Sequence, residues 1–186
     1  MKKLFLIFLF NIFTQANAEI VYALGTSNTN CKDSGQAYTN KLAELLPQHQ
    51  IINAGVDGDK PMWMLNRLKS ALQKEPNIKL VIFEPGPNER NKSYSLEHTE
   101  QVLGYLKNIQ MKTIFVSHSA IQSPEDAESI AIKYGAIYYG DWAKNVPRDR
   151  EHRKFDNGTA GHMTPKGCVI WAEQMAPLID KVIGSK

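Results

Sequence analysis

The chain has 186 residues, of which 42% are hydrophobic, and it carries 22 lysines and arginines against 19 aspartates and glutamates. This length suits one domain with a hydrophobic core of ordinary size. The small formal net charge of +3 gives no support for nucleic acid or an anionic membrane as a partner. The two cysteines, Cys31 and Cys168, lack the spacing of a zinc site, so no metal is expected.

The N-terminal segment has the pattern of a cleavable secretory signal. Two lysines precede an almost unbroken apolar run from Leu4 to Phe13, and an Ala-x-Ala cleavage pattern follows at residues 16–18. The run is too short to span a membrane, which takes about 20 residues. We therefore expect residues 1–18 to be removed, and residues 19–186 to form a single domain that is periplasmic or secreted, monomeric and without a membrane span.

Short apolar runs that end in turn-forming residues predict the buried strands. They lie at residues 20–24, 51–54, 80–83, 113–116 and 136–139. Segments with helical periodicity alternate with them, at residues 37–46, 61–74, 96–109, 124–134 and 165–183. Such alternation implies right-handed crossovers and a parallel sheet with helices on both faces. The sequence therefore predicts a flavodoxin-like α/β fold, a three-layer α/β/α sandwich around a five-stranded parallel sheet.

Polar residues follow the carboxyl ends of the first three predicted strands and precede the last helix. Ser27 follows the first strand, Gly58 the second and Asn88 the third, while His162 comes just before the final helix. Ligands of a parallel sheet bind beyond the carboxyl ends of its strands. We therefore expect these four residues to meet at one edge. His118 also follows a strand end, whereas the mixed-charge run at 148–154 is interpreted as a solvated loop or helix face.

In this order the sequence resembles the SGNH (GDSL-like) hydrolases, whose blocks carry a nucleophilic Ser, a Gly, an Asn and a His. Gly-Thr-Ser-Asn contains Ser27, Asn-Ala-Gly-Val-Asp-Gly-Asp contains Gly58, Gly-Pro-Asn-Glu contains Asn88, and His-Met-Thr-Pro-Lys-Gly begins with His162. The resemblance implies the SGNH hydrolase fold, with Ser27 as nucleophile and His162 as its base. An ester carbonyl attacked by a hydroxyl needs such a base and preorganised donors for the developing oxyanion. The candidate donors are the backbone N–H groups of Ser27 and Gly58 and the Asn88 amide.

Three positions depart from the family pattern, and one of them is Glu89, where family members often carry Asp. Thr26 replaces the Asp of the first block, and Thr159 stands where the family usually has an Asp that orients the catalytic histidine. Asp156 is the nearest acid upstream and could take this role if the intervening loop folds back. A Ser–His dyad held by a backbone carbonyl and a chain without activity are the alternatives that stay open.

The resemblance implies a cofactor-independent serine hydrolase that cleaves an ester or thioester through an acyl-enzyme. Small members of the family include thioesterases and lysophospholipases. A lipid-derived or small acyl ester is therefore the first substrate candidate, and an O-acetylated sugar is the second. A non-catalytic relative that binds acyl or glycan ligands stays open. Met62, Trp63 and Met64 are interpreted as core residues or, alternatively, as the lining of an acyl pocket. A flavodoxin-like cofactor binder is disfavoured, since no Walker lysine or dinucleotide glycine pattern is present.

Cys31 and Cys168 follow Ser27 and His162 closely in the sequence. If Ser27 and His162 meet, the two cysteines should also lie near each other. An exported protein enters a compartment that permits disulfides. We therefore hypothesise a Cys31–Cys168 disulfide.

Overall fold

A computed structural model describes residues 18–31, 36–156 and 159–184. Apart from Ala18, the predicted signal lies outside the described residues. The main sheet has five parallel strands in the order β2-β1-β3-β4-β5. These strands are β1 (Ile20–Gly25), β2 (Gln50–Gly55), β3 (Ile78–Phe83), β4 (Lys112–Ser117) and β5 (Ile137–Asp141). The predicted flavodoxin-like parallel sheet is confirmed, with strand bounds that differ by only one or two residues.

The helices occupy both faces of this sheet. They are α1 (Ser27–Asn30), α2 (Tyr38–Leu45), α3 (Pro61–Lys74), α4 (Lys92–Asn108), α5 (Pro124–Tyr134) and α6 (Pro165–Gly184). Helix α4 begins earlier than predicted, because the Asn91 side chain accepts a hydrogen bond from the Tyr94 backbone and caps the helix there. The sequence did not predict α1, which is too short to show a helical period. Within the described residues, no helix combines the length and apolar character needed to cross a membrane.

Side chains alternate across β1 and divide the core into two layers. Val21 and Ala23 pack on the side of α2 and α6. Tyr22 and Leu24 pack on the side of α3, α4 and α5. All six residues of β1 are buried, which is expected of a central parallel strand covered on both faces. This strand ends at Gly25, and only Thr26 separates it from Ser27.

An antiparallel hairpin precedes α6. It is formed by β6 (Arg153–Asp156) and β7 (Thr159–Met163), with Arg153 opposite Met163 and Asp156 opposite Thr159. The interpretation of residues 148–154 as a solvated loop or helix face is therefore wrong at its end, where β6 begins. The Thr164 N–H donates to the His152 carbonyl at 3.0 Å. A Cβ at Gly167 would lie 2.2 Å from that same oxygen, so only glycine lets α6 approach the hairpin this closely.

The two cysteines lie next to each other between α1 and α6. Cys31 ends α1 in the left-handed conformation, with φ of 47°, and Cys168 lies in the first turn of α6. Both are buried, and their sulfur atoms are 3.2 Å apart, a thiol contact longer than the roughly 2.05 Å of a disulfide bond. The structure thus brings the pair together, and the disulfide stays a prediction.

We expect oxidation to join Cys31 to Cys168 and to stabilise the protein. A crosslink between positions 137 residues apart restricts the unfolded chain, and such bonds typically add about 2–4 kcal/mol to the free energy of unfolding. Urea unfolding with and without reductant would measure the difference, which Cys31→Ala should abolish. Two alkylated thiols per chain in protein unfolded without reductant after oxidation would contradict the crosslink.

Candidate active site

Ser27 and His162 meet near the carboxyl end of β1. Ser27 is the first residue of α1, and His162 lies in β7 just before α6. The His162 Nε2 atom is 2.8 Å from the Ser27 Oγ atom, a hydrogen-bond distance, and both side chains are half-buried. A neutral imidazole in this position can accept the hydroxyl proton as the oxygen attacks a carbonyl carbon. The structure therefore brings together the predicted nucleophile and its predicted base.

A buried carboxyl group accepts hydrogen bonds from residues 25–30, the turn that carries the nucleophile and is called here the nucleophile turn. Glu84 directly follows β3 and is fully buried. Its Oε2 atom accepts hydrogen bonds from the Thr26 backbone N–H at 2.9 Å, the Thr26 hydroxyl at 2.8 Å and the Thr29 hydroxyl at 3.2 Å. Its Oε1 atom accepts from the Asn28 amide at 3.4 Å. Thr26 therefore acts as a donor to a carboxyl group that comes from a different strand, although the family usually has an Asp at its position.

Two glycines allow this close packing around Glu84. A Cβ at Gly25 would lie 2.1 Å from the Thr29 hydroxyl oxygen and 2.8 Å from Glu84. Gly86 has a φ of +63°, and its Cβ would lie 2.3 Å from the Thr26 methyl carbon. Side chains at either position would push the turn away from the carboxyl group. Both glycines therefore help to place Ser27.

Burial raises the pKa of Glu84 to about 7, although the hydrogen bonds from Thr26, Asn28 and Thr29 act in the opposite direction. The protonated carboxyl group can itself donate to a threonine hydroxyl, which accepts as well as donates. Glu84 was not among the site residues predicted from the sequence. The available signal was an acidic residue immediately after a continuous apolar strand.

Asn88 points an amide into the site from the loop after β3. Its Nδ2 atom donates to the Asp59 carbonyl at 3.1 Å, which leaves the second amide hydrogen for a ligand. Asp59 is held in turn, because its buried carboxylate accepts from the Lys60 backbone N–H at 2.9 Å and from the Arg67 Nε at 3.0 Å. The predicted oxyanion donor thus has a fixed orientation.

Gly58 directly precedes Asp59, whose carbonyl accepts a hydrogen bond from the Asn88 amide. It is exposed in the turn after β2, with a φ of +73°, and no atom lies within 4 Å of the position of a Cβ. It is not among the described residues that line the cleft beside Ser27. The structure therefore brings together Ser27, Asn88 and His162, and a Gly58 N–H donor stays a prediction.

The group that orients His162 also stays a prediction. The backbone of Asp156 pairs with Thr159 at the end of the hairpin. The side chains of both residues lie outside the described part of the structure.

The dyad opens into a cleft of about 460 Å³ with a mixed polar and apolar lining. The cleft is lined by Ser27, Asn28, Pro87, Asn88, His118, Ser119, Asp141, Trp142, Arg148, Arg153, Gly161 and His162. The acyl-pocket interpretation of Met62, Trp63 and Met64 is not supported, since none of them lines it. Core packing is correct for the fully buried Met64 and wrong for Met62 and Trp63, which are 43% and 54% exposed.

His118, which follows β4, forms part of the wall of this cleft. Its ring stacks on Trp142 at a centroid distance of 5.7 Å, and its Nδ1 atom accepts from the Ala120 N–H at 3.2 Å. Burial lowers the pKa of His118, against an opposing effect of Asp141. A neutral ring that accepts at Nδ1 carries its hydrogen at Nε2. His118 therefore presents one N–H donor.

We expect the buried Glu84 to make stability pH-dependent. Its folded-state pKa of about 7 lies above the value of 4.5 for a solvated glutamate, so the folded chain binds this proton more tightly than the unfolded chain. The resulting stabilisation is complete below about pH 4.5 and is lost as the pH rises through about 7.

The matched variant is Glu84→Gln, which keeps the shape and does not titrate. Between pH 5 and 8 the wild type should lose up to about 3 kcal/mol of unfolding free energy relative to this variant, as measured by urea unfolding. Parallel pH profiles for the two proteins would refute the effect.

Neither a protein-family model nor a curated protein sequence matches the chain. Solved structures do. The psychrotrophic esterase EstA from Pseudoalteromonas sp. has a TM-score of 0.74 at 13% identity, over 90% of this chain and 100% of that one. AlinE4, an SGNH-hydrolase family esterase, has a TM-score of 0.64 at 21% identity, over 88% and 96%.

The acetyl xylan esterase AlAXEase has a TM-score of 0.63 at 17% identity, over 86% of this chain and 99% of that one. At these identities the similarity establishes the fold, and it agrees with the resemblance carried by the four sequence blocks. The chain therefore has the fold of the SGNH (GDSL-like) hydrolases.

Proposed function

We propose that this protein is a serine esterase that hydrolyses carboxylic esters through an acyl-enzyme on Ser27. The supporting observation is the 2.8 Å hydrogen bond between the Ser27 hydroxyl and the His162 Nε2 atom, beside the oriented Asn88 amide. Nucleophile, base and oxyanion donor together form the constellation that acyl transfer requires. The structures that share this fold include esterases, which supports the same reaction class.

The geometry supports the following sequence of steps. Ser27 Oγ bonds to the carbonyl carbon while His162 Nε2 takes the hydroxyl proton. The negative charge that develops on the carbonyl oxygen is stabilised by the Asn88 amide and by the Ser27 N–H, with Gly58 as the third proposed donor. His162 then returns the proton to the leaving oxygen as its bond to carbon breaks. A water molecule, deprotonated by His162, releases the acid and restores Ser27.

The composition of the cleft favours a short acyl group on a polar alcohol. A long lipid chain would need an extended apolar lining, and the exposed Met62 and Trp63 do not supply one there. Small acyl esters, including O-acetylated sugars, therefore fit this site better than lysophospholipids. A small thioester would meet the same nucleophile.

Labelling by a fluorophosphonate should test the nucleophile directly. We expect the wild type to be labelled and Ser27→Ala to be inert, while His162→Ala should react slower by roughly 10²–10⁴-fold because the base is lost. Ser129→Ala is the control, since this exposed serine of α5 does not line the cleft. A folded wild type without labelling would contradict the proposal and favour the ligand-binding alternative.

Asn88 should matter to catalysis more than to substrate binding. Asn88→Ala should lower kcat by about 10²–10³-fold on phenyl acetate, with a small change in KM, because an oxyanion donor acts mainly in the transition state. Steady-state kinetics on protein with an unchanged circular dichroism spectrum would measure this. An unchanged kcat would remove Asn88 from the oxyanion site.

A further inference from the structure

The described lining of the cleft contains two guanidinium groups and one carboxylate. Arg148 and Arg153 both line it, and among the described residues neither forms an ion pair with a carboxylate. The whole chain is nearly balanced in charge. The described lining of the cleft has one more arginine than it has carboxylates.

Arg153 is held rigidly in place. Its Nη2 atom donates to the carbonyls of Ala143 and Val146 at 2.9 and 3.0 Å, and its guanidinium lies 5.4 Å from the centroid of Trp142. Trp142 stacks in turn on His118. A planar cation fixed in this way loses little side-chain entropy when it binds an anion.

Arg148 lies close enough to Arg153 for their charges to interact. Burial lowers the pKa of Arg153, and the Arg148 charge acts in the same direction, while Asp141 opposes both. Arg148 is exposed. Like charges that share a cleft repel each other, and a bound anion would relieve that repulsion.

Asp141 is the one carboxylate among the described lining residues, and its oxygens are already used. Its Oδ2 atom accepts from the Ser119 N–H at 2.7 Å, and its Oδ1 atom accepts from the Ala143 N–H at 3.0 Å. Two cations and one carboxylate leave the cleft with one formal positive charge.

Arg148 and Arg153 line the same cleft as His162. His162 must return its proton to the leaving oxygen, so the alcohol portion of the ester has to lie next to His162. His162 belongs to β7, and Arg153 on β6 pairs with the neighbouring residue, Met163. The hairpin that carries the base therefore also carries Arg153.

We propose that the alcohol released by this enzyme carries an anionic group such as a carboxylate, which Arg148 and Arg153 bind. Guanidinium groups bind carboxylates through strong, charge-assisted hydrogen bonds. The proposal rests on the proposed esterase function and adds its substrate class: short acyl esters of anionic alcohols, such as acylated acidic sugars.

The test compares two esters that differ in one charge, 4-acetoxybenzoate and its methyl ester. They share the acetyl group and the aromatic ring, so the ratio of their kcat/KM values cancels most of the shared chemistry. We expect Arg148→Gln to lower the anionic-to-neutral ratio about three- to fivefold, which is the size of a solvent-accessible ion pair, and Arg148→Glu to lower it further. Arg150→Gln is the matched control, because Arg150 carries the same charge in the same loop and does not line the cleft.

Binding provides a readout that does not depend on turnover. The product 4-hydroxybenzoate should bind wild-type protein more tightly than Arg148→Gln in calorimetric titrations. Equal binding, together with an unchanged ester ratio, would overturn the anionic-alcohol proposal while hydrolysis of the neutral ester left the esterase proposal intact. If the wild-type protein showed neither turnover nor labelling but still bound the product in an Arg148-dependent way, the esterase proposal would be rejected and the anion-binding site would remain supported.

A second pair of esters tests whether the arginines bind an anionic group on the alcohol portion or on the acyl portion of the substrate. Phenyl hydrogen succinate carries its carboxylate on the acyl portion, and phenyl methyl succinate is its neutral counterpart. We expect Arg148→Gln to leave the ratio of kcat/KM values for these two succinates within twofold of the wild-type ratio. A fall of fivefold here with no change for the acetoxybenzoates would place the anion on the acyl side and overturn the assignment to the alcohol.

Discussion

The hydrogen bonds that Glu84 accepts beneath the nucleophile turn are the constraint on which the site depends. The carboxyl group of Glu84 lies at the end of β3, and it binds the backbone and hydroxyl of Thr26 at the end of β1. These contacts fix where α1 begins and thus where the Ser27 hydroxyl points. A buried carboxyl group is costly unless its oxygens are satisfied, and four donor groups on three residues satisfy this one.

The base reaches Ser27 by a separate route. His162 lies 135 residues after Ser27 and is carried by a hairpin that packs on the first turn of α6. The backbone bond from Thr164 to His152 and the absence of a side chain at Gly167 let hairpin and helix pack closely. The contact between Cys31 and Cys168 joins the end of α1 to the first turn of α6. The dyad is thus supported on both of its sides by buried, short-range contacts.

Two separate series of side-chain contacts support the two ends of the cleft. On the oxyanion side, Arg67 holds Asp59, whose carbonyl orients the Asn88 amide. On the side proposed for the leaving group, the Arg153 guanidinium lies over Trp142, which stacks with His118. The first series presents a neutral donor, the Asn88 amide, for a charge that develops only in the transition state. The other presents permanent positive charge, which is suited to a group that is anionic throughout the reaction.

The sequence by itself determined the alternation of strands and helices, the parallel sheet, and the order of Ser27, Asn88 and His162, because apolar periodicity and strand-end position are local properties. Only the tertiary structure decided the roles of Glu84, Arg148 and Arg153, since each depends on side chains that meet from separate elements. It also decided the position of Gly58 and the hairpin, whose four- and five-residue strands are too short to show an apolar alternation. The sequence specifies residue type and order directly. Burial, charge compensation and side-chain orientation arise only when distant segments pack together.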